Sequence, residues 1–275
     1  MKGIILAGGT GSRLHPLTMG VSKHLLPIYN KPMIYYPLSI LMLSGIREIA
    51  VVTTALDQLA YKRLLGTGEQ WGCQFTFVVQ DKPKGIAHAI LACDEFISEE
   101  PVAVVLGDNI FFGPGLTPRL RKAAEIKEGA KIFCYQVADP ERFGVAEIDS
   151  GGRVLSLEEK PKQPSSNYAV TGLYYFDNRL IEIAQQVECS SRGEYEITSV
   201  NRTYLEEGTL SAEILGRGYA WLDTGTHESL LEAGQFVETI EKRQGFRIAS
   251  LDEISIRMGW KREAVQAMRP RLQAL

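Results

Sequence analysis

Two carboxylates and three cations in this chain stand where strands could end, and together they could handle phosphates. Asp108 follows the apolar run Val102 to Leu106 and a glycine, and Asp223 follows Tyr219-Ala220-Trp221-Leu222. Hard carboxylate oxygens are what Mg²⁺ takes, one or two of them together with substrate phosphates. A lone aspartate after a strand also serves as a helix cap or turn former. Arg13 and Lys23 flank and follow the segment Gly8-Gly9-Thr10-Gly11-Ser12, itself preceded by the apolar Gly3 to Ala7. Glycine lets a backbone approach a ligand closely, successive loop amides can point at an anion, and the two cations add charge. Lys2 to Lys23 therefore reads as a strand feeding a triphosphate-binding loop, with an ordinary strand-to-helix turn as the other reading of the glycines alone. Lys160, in Glu158-Glu159-Lys160-Pro161, is a compact charge suited to a phosphate, beside carboxylates that can accept hydrogen bonds from sugar hydroxyls. A solvated charge cluster is the other reading of that run. Gln80 offers a donor and an acceptor on one planar amide, which suits the N3–H and O4 edge of thymine or uracil; cytosine presents the opposite pattern, which a flipped amide could meet. Gly85, five residues on, would let the backbone approach a base; an ordinary surface glutamine in a loop is the other reading, and the one the residues alone favour.

Two common phosphate loops are excluded. A P-loop needs Gly-Lys-Ser/Thr, where this chain has Gly11-Ser12-Arg13, and a dinucleotide fingerprint needs a third small residue, where Leu14 stands.

These residues need a frame. Gly3 to Ala7, Glu48 to Thr53, Gln74 to Val79 and Val102 to Leu106 read as strands. Helices are expected from Asn30-Lys31-Pro32 to Gly45, over Asp57 to Leu65 and over Ile86 to Ile97. Apolar strands alternating with helices imply a parallel sheet covered on both faces, and ligands of such sheets bind outside the carboxyl ends of the strands. The glycine loop, Gln80 to Gly85 and Asp108 all follow such ends, so they converge in one crevice. Past Lys131, strands are expected over 132–137, 144–148, 154–158, 169–176, 210–215 and 219–222, and helices over 178–187, 197–207, 228–243 and from Asp252. The expected fold class is α/β: a doubly wound, mainly parallel sheet with a small additional β sub-sheet and C-terminal helices. One domain, 1–275, is expected, in three parts, 1–130, 131–225 and 226–275.

The whole string Lys2 to Lys23, with Arg13, Pro16, Ser22-Lys23 and Leu26-Pro27, resembles the signature of the sugar-1-phosphate nucleotidylyltransferases, most closely the glucose-1-phosphate thymidylyltransferases. Leu106-Gly107-Asp108-Asn109, Trp221-Leu222-Asp223-Thr224-Gly225-Thr226 and Asn167-Tyr168-Ala169-Val170-Thr171-Gly172 match it too, and the likeness runs to about Trp260. It implies transfer of thymidylate from dTTP to α-D-glucose 1-phosphate, giving dTDP-glucose for deoxysugars such as rhamnose. For the parts 1–130, 131–225 and 226–275 it implies nucleotide binding, sugar-phosphate binding, and assembly and regulation respectively. It implies Mg²⁺ held by Asp108 and Asp223, and chemistry carried by these with Arg13, Lys23 and Lys160. It places substrate contacts at Leu6, Gly8, Gly9, Thr10, Gly11, Gln80, Gly85, Gly144, Glu159, Lys160 and Val170. Glu159 would meet the sugar ring, Lys160 its phosphate, and the backbone at Gly144 and Val170 would help to hold it. The resemblance also implies a homotetramer, a dimer of dimers, with a second nucleotide-sugar site near Phe111 to Pro114 and Asp252 to Trp260. The chain departs from the family's pattern at His24 and His88, where relatives carry Gln, at Phe143, where they carry Tyr, and in a shorter tail. His24 is the departure nearest the phosphates; the others bear on packing or regulation.

Composition is that of an ordinary globular chain, 45% hydrophobic and 23% charged over 275 residues. A net charge of −3 supplies no bulk field for nucleic acid or an anionic membrane, so an anionic ligand needs a local site. No membrane span or signal-peptide pattern is present, and the four cysteines lack any CxxC, so a cytoplasmic protein with free thiols is expected. A UTP-using transferase, a non-catalytic nucleotide-sugar sensor and a dinucleotide-dependent oxidoreductase are the alternatives. Both aspartates and all three basic clamps count against the second, and the absent third glycine against the last.

Overall fold

The computed structural model describes residues 1–261; the tail, whose length the sequence singles out, lies outside the described residues. β1 (Lys2–Leu6) leads into the glycine loop. The two-residue strands β2 (Pro27–Ile28) and β3 (Lys31–Pro32) then pair antiparallel about Tyr29, whose φ is 58°. The helix expected from Asn30 therefore starts only at Tyr35, as α1 (Tyr35–Leu43). The sequence explains the displacement: Ile28 and Met33 are wholly buried, and the hairpin delivers both to one small cluster. Pro37 sits in the first turn of α1, where its missing N–H costs nothing. Tyr36 to Met42 are all buried, so α1 is a core helix without a solvent face.

β4 (Glu48–Thr53), α2 (Gln58–Leu65) and β5 (Gln74–Val79) follow as expected. The expected helix 86–97 is two helices, α3 (Ile86–Leu91) and α4 (Asp94–Ile97), and Asp94 and Glu95 favour a fresh N-terminus at the break. Then come β6 (Val102–Leu106), β7 (Asn109–Phe112), α5 (Leu116–Ala123) and β8 (Ala130–Gln136). β9 (Gly144–Ile148), β10 (Val154–Glu159), β11 (Tyr168–Phe176), α6 (Leu180–Gln185) and α7 (Ile197–Glu206) build the second half. β12 (Leu210–Leu215), β13 (Ala220–Asp223), α8 (His227–Gln244) and α9 (Leu251–Arg257) complete it.

A nine-stranded sheet runs β10-β9-β11-β6-β1-β4-β5, with β8 also on β11 and β12 on β8. β6, β1, β4 and β5 are parallel and in step: Leu6 lies opposite both Val52 and Leu106, so the loops after these strands open on one edge. The sheet is mixed, because β11 runs antiparallel to β6, β8 and β9. Alternate residues serve two cores: Ile5, Val51 and Val105 face one, and Ile4, Val52 and Val104 the other. β11 changes neighbours partway. Tyr168 to Val170 pair with β9, while Leu173 to Phe176 pair with β6. The change over Thr171-Gly172 seats the second half of the crevice beside the end of β6. β7 and β13 form a separate antiparallel ladder above that edge. Among the described residues no helix is long and apolar enough to cross a membrane.

Candidate active site

The glycine loop is folded against its own continuation. Gly11 has φ 63°, and a Cβ there would lie 3.0 Å from Thr18 Cγ2 and 3.1 Å from Lys23 Cβ. Thr18 Oγ1 also donates to the Gly11 carbonyl at 2.7 Å. Gly8 and Gly9 line the cavity floor with Leu6, and Arg13 and Lys23 its flank; Thr10 is exposed and outside that lining.

The β7/β13 ladder brings the aspartates together, because Asp223 lies opposite Asn109, the neighbour of Asp108. Thr224 fixes the join: its backbone N–H and its hydroxyl both donate to the Asp108 carbonyl, at 3.1 and 2.8 Å. Asn109 donates to Asp108 Oδ1 at 2.9 Å, and its oxygen accepts from the Gly172 N–H and from Trp221 Nε1. One buried amide thus ties the strand change of β11 to both carboxylates.

Lys23, nearly buried, forms an ion pair with Asp108. Burial by itself would lift the Asp108 carboxyl, but the Lys23 charge and hydrogen bonds from Lys23 and Asn109 hold it down at about 2. Asp223 is pushed the other way: burial and then the Asp108 charge raise it, against Lys23, Arg13 and Arg142. Burial and the Asp108 charge thus work against the ionised form of Asp223, which is the condition a divalent cation relieves. The donor set of two hard carboxylates therefore fits Mg²⁺. No group of three or more His, Cys, Asp or Glu side chains with metal-binding spacing occurs among the described residues, so substrate oxygens would have to complete its shell.

His24 lies under this centre. Desolvation and the adjacent Lys23 charge lower it to about 4, so it is neutral at pH 7. Its Nδ1 is 3.2 Å from the Tyr61 hydroxyl, which also bonds Ser22 at 2.8 Å. A Cβ on Gly107 would stand 2.7 Å from both the His24 ring and the Leu6 carbonyl, so only glycine fits there. The departure nearest the phosphates is a buried neutral support rather than a further cation.

At the base end, Gln80 is buried, with its Oε1 beside Gly8 and its Nε2 donating to the Gly85 carbonyl at 3.5 Å. Nε2 is also 3.1 Å from His88 Nδ1. His88, expected to bear on packing or regulation, thus touches the base-reading candidate itself. Gly85, at φ 105°, leaves room for Tyr195, whose carbonyl a Cβ would meet at 2.5 Å.

At the other end, Glu159 Oε2 accepts from Thr198 at 2.5 Å and Oε1 from Arg192 at 3.1 Å. A Cβ on Gly144 would press on that carboxylate at 3.4 Å. Lys160 is exposed, at φ 45°, with its N–H bonded to the Phe143 carbonyl at 3.0 Å. Val170 lines the same cavity, and Phe143 closes it edge-on against Trp221 at 5.0 Å. Arg142, Arg192 and Thr198 also face this cavity. Sequence reasoning gave these three no role; Arg192 and Thr198 come from a loop and a helix start whose spacing carries no periodic signal.

The two cavities, about 340 and 200 Å³, share Arg13 and Asp108 in their walls. One can take a nucleotide and the other a sugar phosphate, with their phosphates meeting at the carboxylates.

Known proteins resemble this chain over most of its length. A nucleotidyl transferase family model matches residues 2–240. A glucose-1-phosphate thymidylyltransferase of Neisseria meningitidis is 56% identical over 260 residues, 94% of this chain and 90% of that protein. One of Mycobacterium tuberculosis is 54% identical over the same shares. A Bacillus anthracis crystal structure, assigned to glucose-1-phosphate thymidylyltransferase and holding sucrose, superposes with TM-score 0.79 at 43% identity, over 86% of this chain and 94% of that one. A UDP-glucose pyrophosphorylase bound to UDP-glucose gives 0.77 at 25% identity, over 86% and 98%.

Proposed function

The chain belongs to the nucleotidyl transferase family, and we propose that it is a glucose-1-phosphate thymidylyltransferase, joining dTTP to α-D-glucose 1-phosphate with release of pyrophosphate. The observation that carries this is the meeting of the two cavities at Arg13 and Asp108. The sugar phosphate oxygen attacks the α-phosphorus in line, and pyrophosphate leaves from the opposite side. No side chain has to become covalently attached; positioning and charge neutralisation supply the rate.

The glycine loop would cradle the triphosphate, and Arg13 would hold its leaving half. Lys23, paired with Asp108, would transfer its charge to the α-phosphate. Lys160, aided by Arg142 and Arg192, would hold the sugar phosphate. Glu159, kept in place by Thr198, would accept from sugar hydroxyls, with the backbone at Gly144 and Val170 along the ring. Leu6 would pack near the nucleoside, and Gln80 and Gly85 would read the base. Thr10 keeps only a backbone role, since its side chain lies outside the cavity. Asp108 and Asp223 would hold Mg²⁺, which when bound neutralises charge developing on the phosphates.

The division at residues 130 and 225 describes halves of one domain, a reading supported by the sheet that joins them through β11 and β6. A cytoplasmic homotetramer serving dTDP-deoxysugar formation, with a second nucleotide-sugar site near Phe111 to Pro114 and α9, completes the reading. A cavity of about 260 Å³ lined by Phe111, Phe112, Arg247 and Glu253 lies in that region and supports it. UTP is the second nucleotide to consider, because uracil shares the thymine edge and the UDP-glucose enzyme shares the fold. Pyrophosphate release measured with dTTP and UTP, each with and without glucose 1-phosphate, tests the assignment. Release that needs the sugar phosphate and favours dTTP supports it; release without the sugar, or none, overturns it.

A further inference from the structure

One segment of chain touches both the base loop and the sugar cavity. Residues 188–196 lead from α6 into α7, and Glu194 stands in the walls of both cavities. Tyr195 is tied to the base loop by main chain alone. Its N–H donates to the Lys84 carbonyl at 2.8 Å, and its carbonyl accepts from the Ala87 N–H at 3.0 Å. A Cβ on Gly85 would stand 2.5 Å from that carbonyl, so the two segments meet with no side chain between them. Arg192 reaches the sugar end. Its Nη1 lies 3.1 Å from Glu159 Oε1 and 3.4 Å from Glu196 Oε1, so one nitrogen spans two carboxylates. Ser190 pins this arrangement: its hydroxyl donates to Glu196 Oε1 at 3.0 Å and accepts from the Arg192 N–H at 3.2 Å, and its own N–H donates to the Glu194 carbonyl at 2.8 Å. Apart from these bonds both segments are open to water, with Asp81 to Lys84 exposed on one and Ser191 to Gly193 on the other. Exposed segments held by few bonds open at low free energy, and a ligand that closes them bears the cost of ordering them.

We propose that residues 188–196 couple the two substrate sites, with Ser190 as the positioning residue: a nucleoside seated against the base loop orders the segment through Tyr195, and the ordered segment sets Arg192 and Glu159 for glucose 1-phosphate. The first ligand bears the ordering cost, so the second binds more tightly, and linkage makes the effect reciprocal. The route runs through main-chain bonds and the Ser190 hydroxyl. It therefore needs neither a phosphate nor a metal ion, unlike any coupling through the shared wall at Arg13 and Asp108.

This rests on the reading of the cavities as nucleotide and sugar-phosphate sites, and the test separates the two. Calorimetry on the full chain without Mg²⁺ measures the Kd of glucose 1-phosphate alone and with saturating thymidine, which has no phosphate to meet the sugar phosphate. Thymidine tightens glucose 1-phosphate by about fivefold or more, the lower end of ordinary coupling between sites. Hydrogen exchange of residues 188–196 slows when thymidine binds alone. Ser190→Ala keeps the thymidine Kd but shrinks the coupling to less than about twofold, and Ser190→Thr, which retains the hydroxyl, restores it. A merely structural role for Ser190 would weaken both ligands and leave their coupling in place. Coupling that is absent from the parent, that survives Ser190→Ala, or that is lost equally in Ser190→Thr refutes the inference, as does unchanged exchange. Melting curves identify a variant that fails to fold, and Ser190→Gly then takes the place of Ser190→Ala. Gln80→Ala decides the underlying reading: a thymidine Kd that it leaves unchanged removes the nucleoside from the first cavity. Thymidine weakened by Gln80→Ala, yet without effect on glucose 1-phosphate in the parent, overturns the coupling alone.

Discussion

Asp108→Asn and Asp223→Asn should both abolish most turnover, yet shift the stability of the metal-free protein in opposite directions. Asp108 is the partner of a nearly buried lysine, and only 16% of its side chain is exposed. Its carboxyl is held at about 2 against an ordinary 3.8, which amounts to about 2 kcal/mol. Stranding Lys23 by removing its partner costs about 3 kcal/mol or more. The two routes agree, and for a chain of this size they mean a melting temperature lower by roughly 5 to 10 °C. The sign of the pH dependence follows. A depressed carboxyl contributes stability that is fully present above the unfolded value near 3.8 and lost as pH falls through about 2, and Asp108→Asn removes that dependence. Asp223 is raised by burial and by Asp108, so at pH 7 its ionised form works against folding. Asp223→Asn should raise the metal-free melting temperature, by about 2 °C for each kcal/mol relieved. Turnover should fall on the order of a hundredfold in each, as when a charge-stabilising group is lost. Calorimetric melting in chelator, beside pyrophosphate release at saturating Mg²⁺, measures both. If Asp223→Asn melts lower than the parent without metal, or either variant keeps near-parental kcat, the two-carboxylate account is refuted.

The clamps should separate kinetically: Arg13→Ala lowers kcat more than it weakens glucose 1-phosphate binding, and Lys160→Ala raises KM for the sugar phosphate, with matched losses on both substrates counting against the assignment. Gly107→Ala forces a Cβ to 2.7 Å from the Leu6 carbonyl and the His24 ring. It should cost about 2 kcal/mol or more and most activity, as melting and turnover would register. Sedimentation should find a tetramer, and dTDP-rhamnose should lower the apparent dTTP affinity without full competition; purely competitive kinetics with one nucleotide per subunit by calorimetry would remove the second site.

The parallel frame was legible because β1, β4 and β6 are continuous apolar runs, buried on both faces, that end in glycine or polar residues. The β7/β13 ladder was legible only in half: the strand expected over 219–222 is β13, but Asn109–Phe112 is four residues, too short for a periodic signal, and its pairing with β13 is long-range. The hairpin at Pro27–Pro32 was hidden because a proline before an apolar stretch also suits a helix start, and burial of Ile28 and Met33 decided otherwise. The antiparallel turn of the sheet came from β11, whose pairing changes at Thr171-Gly172, where the Gly172 N–H meets a partner 63 residues away, the Asn109 amide. The individual site residues could be named from loop chemistry and resemblance. Their partners could not: the Lys23–Asp108 pair, the Glu159–Arg192–Thr198 group and the Gln80–His88 contact are long-range or set by loop conformation.

The central claim is that both substrates sit in one crevice and react with each other directly. Exchange of labelled pyrophosphate into dTTP tests it most simply. Direct attack by the sugar phosphate allows exchange only when glucose 1-phosphate or dTDP-glucose is present, because without them nothing can receive the thymidylyl group. Exchange with dTTP, Mg²⁺ and enzyme alone would mean that a side chain takes the nucleotide first, and would contradict the account.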